Sequence, residues 1–249
     1  MRILNWNTEF VGPRARSDKF KQICALIANC AADVVCLTEA YPEAIPAGWH
    51  VVRSEVSGRV KPESGGARKV VLGSRFGWTD IDTLGSDRLP EGRFVSAKTR
   101  DESGQEWTFI GICIPYFGYR MNRRFWGDNA LRPWQGAETF LDAFRSDVLP
   151  LVSRAQQTIL LGDYNLHIPP GKTSRQTNSV TQKCEQTFNG WQIPTAGEIS
   201  DPALDKRFID HVALSQDIEL ISLRFISRFS DDGAALSDHN GVCIDVAAV

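Results

Sequence analysis

Apolar residues recur along the chain in two rhythms. In RILNWN (2–7) they are interspersed with polar ones in strand fashion, whereas Phe20, Ile23, Cys24, Ile27 and Ala31 recur at helical spacing, with Ser17 placed to cap that helix. Val34, Val35, Cys36 and Leu37 form a continuous apolar run, as expected of a strand buried on both faces. The chain therefore opens strand, helix, strand. Further apolar runs occupy 69–72, 93–97, 106–115, 158–161, 208–214, 218–226 and 242–246, and between Pro133 and about Val152 the residues Trp134, Phe140, Phe144 and Val148 fall at roughly helical intervals. Strands dominate, with a few helices between them. Turn-rich stretches at 57–68, 84–92, 116–133, 163–182 and 229–238 interrupt the pattern. Several begin just after a buried strand, where an α/β scaffold presents catalytic groups on loops. No internal repeat, low-complexity tract or composition shift divides the chain, so residues 1–249 are expected to form one domain.

Composition narrows the function classes. With 249 residues, 42% of them hydrophobic and 23% charged, the chain can bury a substantial core. Its net charge of −2 excludes a uniformly basic nucleic-acid binder that works by counterion release over its whole surface. The longest apolar stretch, Phe109 to Phe117, is broken by Gly111 and Pro115 and falls far short of the ~20 residues a membrane helix needs. The first residues lack an apolar leader with a cleavage site, so a cytoplasmic location is expected. Six cysteines contain no Cys-x-x-Cys pair, and five lie in apolar runs, which suits buried free thiols better than disulfides or a zinc site.

Polar clusters sit at the ends of the apolar runs: Asn5 and Asn7 in RILNWNTEF, Glu39 in VVCLTEA, Asp163 and Asn165 in TILLGDYNLHIP, Asp210 and His211 in RFIDHVALS, Asp238 and His239 in LSDHNGV. A single carboxylate at a strand end is ordinary turn chemistry. Together the clusters supply oxygen ligands and an imidazole without a cysteine ligand, a set suited to a hard cation such as Mg²⁺ or Mn²⁺ and to a phosphate-ester substrate.

The ordered motifs NWN, LTE, GDYN, IDHV and SDH resemble those of the endonuclease/exonuclease/phosphatase superfamily, whose members include pancreatic deoxyribonuclease and abasic-site endonucleases. The resemblance runs from residue 3 to residue 244. It implies a four-layer α/β fold of the deoxyribonuclease type, a two-sheet β-sandwich flanked by helices on both outer faces. It also implies roles: Glu39, Asn7 and Asp238 at a Mg²⁺ site that Mn²⁺ could also fill, Asp163 positioning or deprotonating the attacking water, and Asn165 hydrogen-bonding the phosphoryl oxygens. His239 matches the family's catalytic histidine, and Asp210 the carboxylate that orients it. The chain departs from the pattern at Cys113, where many members carry His or Tyr near the phosphate; Tyr116 or Tyr119 is the candidate to take over that contact.

Blander readings fit other features. His50 reads as structural, and His211 should face away from Asp210 if both lie on a strand. Gly171-Lys172-Thr173 lacks the preceding glycine of a phosphate-binding loop. His167, two residues after Asn165, is a candidate substrate contact, as are Arg120, Arg123 and Tyr116 in a segment that mixes arginines with aromatic residues.

These observations point to a metal-dependent phosphodiesterase acting on nucleic acid. The competing reading is a small-molecule or lipid-headgroup phosphatase of the same superfamily. No membrane contact and no protein partner is indicated. The net charge conceals a polarised chain: segments 114–134 and 168–184 carry +3 each, leaving −8 for the remainder. Both basic segments follow strands that deliver candidate site residues, so a slightly acidic protein can offer a polyanion a local positive rim.

Overall fold

The computed structural model describes residues 1–13, 18–56, 66–119, 132–152, 157–171 and 174–249. In chain order its elements are β1 (Arg2–Asn7), α1 (Lys19–Asn29), β2 (Val34–Ala40), β3 (His50–Arg53), β4 (Arg68–Ser74), β5 (Thr79–Asp82), β6 (Phe94–Arg100), β7 (Glu106–Cys113), α2 (Gln135–Ala143), β8 (Thr158–Asp163), α3 (Asn178–Phe188), β9 (Val212–Leu214), β10 (Ile218–Ile226) and β11 (Gly241–Ala248).

The strands form two sheets, one ordered β10-β11-β1-β2-β4-β3 and the other β5-β6-β7-β8-β9. Among the described residues, only β1 with β2 and β7 with β8 pair in parallel. Each of these pairs is joined through a helix, α1 in the first case and α2 in the second, as a parallel connection requires.

Side-chain alternation sorts the apolar residues into layers. Ile3, Val34, Cys36, Val70 and Leu72 of the first sheet meet Val95, Trp107, Phe109, Ile159 and Leu161 of the second. Leu4, Trp6, Val35 and Leu37 point the other way and pack on Ile23 and Ile27 of α1. On the far side, Ile110, Ile112 and Leu160 pack on Phe140 and Leu141 of α2 and on Val180 and Phe188 of α3. The result is the expected four layers, helix, sheet, sheet, helix. Asn5 lies on the inter-sheet side, where its Nδ2 donates to the carbonyls of Asp210 at 3.0 Å and of Gly162 and His211 at 3.3 Å, tying the two sheets together near the functional end.

Five elements differ from the sequence expectation. The turn-rich stretch 163–182 ends in a helix, α3, capped by Thr177, whose side chain accepts from Val180 N. Its buried stripe, Val180, Cys184, Thr187 and Phe188, is too narrow to stand out among polar neighbours. The helix expected over 133–152 is α-helical only to Ala143, continues as a π turn (Phe144–Val148) and closes as a 3-10 turn containing Pro150. The strand expected over 208–214 shrinks to β9; before it, Tyr164 N and Gly162 N donate to Ile209 O and His211 O, and Asn5 Nδ2 donates to the carbonyls of Asp210 and His211. β3 and β5 are mostly exposed edge strands without the alternation that would reveal them. Ser17 lies outside the described residues, and Asp18 stands at the start of α1.

Candidate active site

The loop after β8 is built around Gly162 and Asp163. Gly162 has φ +142°, and a Cβ there would lie 1.9 Å from the carbonyl oxygen of Ile112, so only glycine fits. Asp163 closes the strand as a buried carboxylate. Its Oδ1 accepts the Asn165 backbone N–H at 2.9 Å, and its Oδ2 accepts from Asn165 Nδ2 at 2.8 Å and from Asn7 Nδ2 at 3.1 Å. Asn165 holds a left-handed φ of 53° to do this. Its Nδ2 also donates to Ile114 O at 2.9 Å, so both amide hydrogens are engaged.

Asn7 ends β1 and, besides holding Asp163, accepts the Glu9 N–H at its Oδ1 at 2.9 Å. Its own carbonyl receives the Ser237 hydroxyl at 2.7 Å, and that hydroxyl accepts the His239 N–H at 3.1 Å. The first strand therefore fixes the loop that carries His239.

The His239 ring is held from both sides. Its Nδ1 lies 2.7 Å from Asp210 Oδ2, and its Nε2 lies 3.6 Å from Asp238 Oδ1. Asp210 is buried, and its Oδ1 has no hydrogen-bond partner among the described residues. One ligating atom from each of Asp163, Asp210 and His239 falls within 4.8 Å of the others. Asp238 is the solvent-facing acid of the group, with a side chain 58% exposed.

This crowding sets the protonation states. Burial pushes the Asp163 carboxyl up, and the negative charges of Asp210 and Glu39 push it further, against the opposing influence of His239. Burial likewise raises Asp210, with His239 again opposing. For His239 burial alone would favour the neutral ring, but the charge and hydrogen bond of Asp210, aided by Asp163 and Asp238, hold its pKa up at about 10. The imidazole thus keeps its proton at neutral pH.

Glu39 arrives from β2 in a strained conformation, with φ 49°. The β2–β4 ladder opens there: Thr38 pairs with Val70 and Ala40 with Arg68. The Glu39 carboxylate is bonded to Nζ of the buried Lys69, which also stands 4.8 Å from the centre of the Phe10 ring.

Lys69 and Arg93 are two buried cations that sequence reasoning passed over as members of apolar runs; a charge inside such a run was the available signal. Arg93 donates from Nη1 to Cys113 O at 2.8 Å and lies 3.4 Å from Cys113 Sγ, with its guanidinium 4.4 Å from the Tyr119 ring. Cys113 is fully buried, and burial pushes its thiol up to about 12, so it offers no thiolate. The neighbour of Tyr119 in the expected phosphate contact, Tyr116, is 45% exposed. Arg120 and Arg123 lie outside the described residues.

Beside Asn165 opens a groove of about 470 Å³ lined by His167, Trp134, Arg175, Lys206 and Arg207. His167 is half-buried, its N–H held by Gln176 at 2.6 Å and its Nδ1 without a partner among the described residues. His211 is remote from this chemistry. Its Nε2 meets Leu166 O at 3.0 Å and its Nδ1 meets the Thr195 hydroxyl at 3.1 Å, which makes it a structural link between the Asp163 loop and β9. His50 is an exposed residue of β3.

The donor set fits a divalent cation. Glu39 and Asp210 both raise the Asp163 carboxyl, and one buried oxygen of Asp210 has no partner among the described residues.

Residues 4–239 match the model of the Endonuclease/Exonuclease/phosphatase family. Among solved structures, an AP endonuclease from Archaeoglobus fulgidus superposes with a TM-score of 0.68 at 15% identity, covering 98% of each chain. TDP2 of D. rerio complexed with single strand DNA product gives 0.66 at 13% identity, covering 100% of this chain and 99% of that one. A 3′ phosphatase, NExo, from Neisseria bound to product DNA hairpin gives 0.65 at 19% identity, covering 99% of each. At these identities the likeness establishes the fold alone. No curated protein matches the chain.

Proposed function

We propose, from the premise that this chain belongs to the endonuclease/exonuclease/phosphatase family, that it is a Mg²⁺-dependent phosphodiesterase that hydrolyses nucleic acid. The observation that carries the reading is the buried Asp163–Asp210–His239 cluster, with its ligating atoms within 4.8 Å of one another. Residues 1–249 act in this reading as one catalytic domain.

Glu39, Asn7 and Asp238 would hold the cation, Mg²⁺ or Mn²⁺. When bound, it supplies Lewis-acid polarisation of a phosphoryl oxygen and offsets charge in the in-line transition state. Asp163 accepts a proton from the attacking water, a task suited to a carboxylate whose basicity is raised by burial and by Asp210. Asn7 and Asn165 aim that carboxylate, and because both Nδ2 hydrogens of Asn165 are spent, Asn165 acts on the reaction through Asp163. His239 carries its proton into the reaction. With Nδ1 anchored on Asp210, it can donate from Nε2 to the phosphoryl or leaving-group oxygen.

The groove beside Asn165 favours a polyanion. Arg175, Lys206 and Arg207 line it, and Trp134 and His167 add flat surfaces for a base or sugar. Structures that superpose with the chain include ones bound to single strand DNA product and to a product DNA hairpin, which supports extending the reading to DNA. Six free cysteines suit a reducing compartment such as the cytoplasm. Among the described residues no helix is long and apolar enough to cross a membrane.

The test is a substrate panel in Mg²⁺: single- and double-stranded DNA, RNA, an abasic duplex, bis-nitrophenyl phosphate, phosphomonoesters and a lipid-headgroup phosphodiester. Cleavage of a nucleic acid, lost in Asp163→Ala and His239→Ala and abolished by EDTA, is the expected result. Preference for a small phosphomonoester or headgroup would move the substrate to the alternative class. Equal rates in wild type and both variants would remove the catalytic assignment.

A further inference from the structure

Between the loop after Asn165 and helix α3 lies a second cavity, of about 160 Å³, which none of Asp163, Asp210 and His239 lines. Its walls are apolar: Ile168 and Pro169 from the loop, Cys184 and Phe188 from α3, and Ile193 beyond it. They are held in place. Phe188 stacks on Tyr164 with ring centres 5.0 Å apart, Gly197 N donates to Ile168 O at 2.7 Å, and Arg207 Nη2 donates to Pro169 O at 2.9 Å. His167 and Gln176 line both this cavity and the cation-bearing groove beside Asn165, so they form the wall that the two share. Each has one buried polar atom without a hydrogen-bond partner among the described residues, His167 Nδ1 and Gln176 Nε2. Gln176 Oε1 accepts the His167 N–H at 2.6 Å and the Ser174 hydroxyl at 3.0 Å, which leaves Nε2 as an unmet donor. Burial and the charge of Arg207 lower the His167 pKa against a hydrogen bond to the Phe208 backbone, so the ring is neutral at neutral pH and its Nδ1 is an unmet acceptor.

We propose that this cavity is a nucleobase subsite, in which one unpaired base of the substrate enters from the groove and presents its hydrogen-bonding edge to Gln176 Nε2 and His167 Nδ1. This rests on the nucleic-acid reading above and adds a sequence preference to it. Three features select the occupant. The cavity opens beside a groove whose Arg175, Lys206 and Arg207 suit a phosphate backbone, so a base carried on that backbone is delivered to its mouth. Its volume, well below the ~300 Å³ of a pocket for a drug-sized ligand, suits one ring system and not a whole nucleotide. Every base sets a donor beside an acceptor on its edge, which answers the unmet pair, whereas a purely apolar group would fill the walls and leave both atoms unsatisfied. The cations of the groove hold the strand whatever its sequence, and the cavity behind it reads one letter.

The test measures kcat/KM on short single-stranded DNAs and RNAs in which each position in turn carries each of the four bases, for wild type, Gln176→Glu and Cys184→Phe, each checked for fold by circular dichroism. Wild type is expected to show a spread of at least tenfold at one position relative to the cut bond and little elsewhere. Gln176→Glu keeps an oxygen for the His167 N–H but turns the donor into an acceptor, so the preferred base at that position should change. Cys184→Phe fills the cavity, and the spread there should collapse. A profile without a preferred base in wild type overturns the proposal, as does cleavage confined to duplexes, and both results stand whether or not the variants fold. A wild-type preference that persists unaltered in both folded variants overturns it too, because the base is then read elsewhere. In each of these cases the nucleic-acid reading survives. Failure to cleave any nucleic acid would overturn that reading and this inference together.

Discussion

Asn7 and Asp163 lie on different sheets and are joined by one hydrogen bond, Nδ2 to Oδ2 at 3.1 Å, between residues 156 positions apart. In the proposed function this contact makes Asp163, the base, depend on the docking of the two sheets. Asn7→Ala removes a donor from a buried carboxylate, for which a loss of about 1–3 kcal/mol is expected. Chemical denaturation measures it. Activity should fall by a larger factor than stability alone explains, because Asp163 loses its aim; unchanged kcat with a normal fold would show that the bond does not position the base.

Gly162 gives the steepest structural prediction. Gly162→Ala places a Cβ 1.9 Å from Ile112 O in a backbone conformation that side chains avoid, so the β7–β8 pairing must move. A destabilisation of about 4 kcal/mol or more is expected, at the exceptional end for a point change. A urea midpoint close to that of wild type would mean that the strand relaxes without cost.

The Asp210–His239 pair can be tested by titration. In the metal-free protein the His239 ring should titrate at about 10, because the charge of Asp210 outweighs burial. In Asp210→Asn the burial remains and the charge is gone, so the pKa should fall by several units, read from imidazole NMR shifts. Turnover at neutral pH should fall by a factor of about 10²–10⁴.

His211 predicts a pH limit on stability. Burial lowers its pKa from 6.5 to about 4, so the neutral ring belongs to the folded state and the protonated ring to the unfolded one. Its contribution is complete above pH 6.5 and is lost as pH falls toward 4, about 3 kcal/mol in all. Comparison of thermal unfolding of wild type and His211→Asn from pH 7 to pH 4 should show the gap between them closing. A gap that stays constant across that range would contradict the assignment.

The groove cations make a prediction about salt. Arg175→Gln with Arg207→Gln should weaken nucleic-acid binding and reduce the slope of log affinity against log salt by about one unit per phosphate contact removed. Hydrolysis of bis-nitrophenyl phosphate, too small to fill the groove, should change little. Equal losses on both substrates would place these arginines in general stability instead.

Much of this was legible in the sequence because strand ends and polar clusters coincide. NWN, LTE, GDYN, IDHV and SDH each follow an apolar run, and a run carries its terminal residue to a definite end of its sheet. The pairings within the site were not legible. That Asn165 spends both amide hydrogens on Ile114 O and Asp163 depends on a left-handed φ, which no spacing reports. Lys69 and Arg93 were hidden for a related reason. Their neighbours read as core, and only three-dimensional packing tells a buried cation from a charge at a strand edge. Helix α3 escaped because a helix lying over a core needs few apolar residues, and polar ones filled the rest of its surface.

The order of strands in the first sheet has a consequence for the protein as it is made. β1 is made before β11, yet one of its two edges waits for that strand. Trp6 donates its indole N–H to His239 O, and Asn7 O awaits the Ser237 hydroxyl. An early segment is therefore completed by a much later one. A chain interrupted before Ser237 would lack His239 and the contacts that dock its loop on β1, so the Asp163–Asp210–His239 cluster could not assemble.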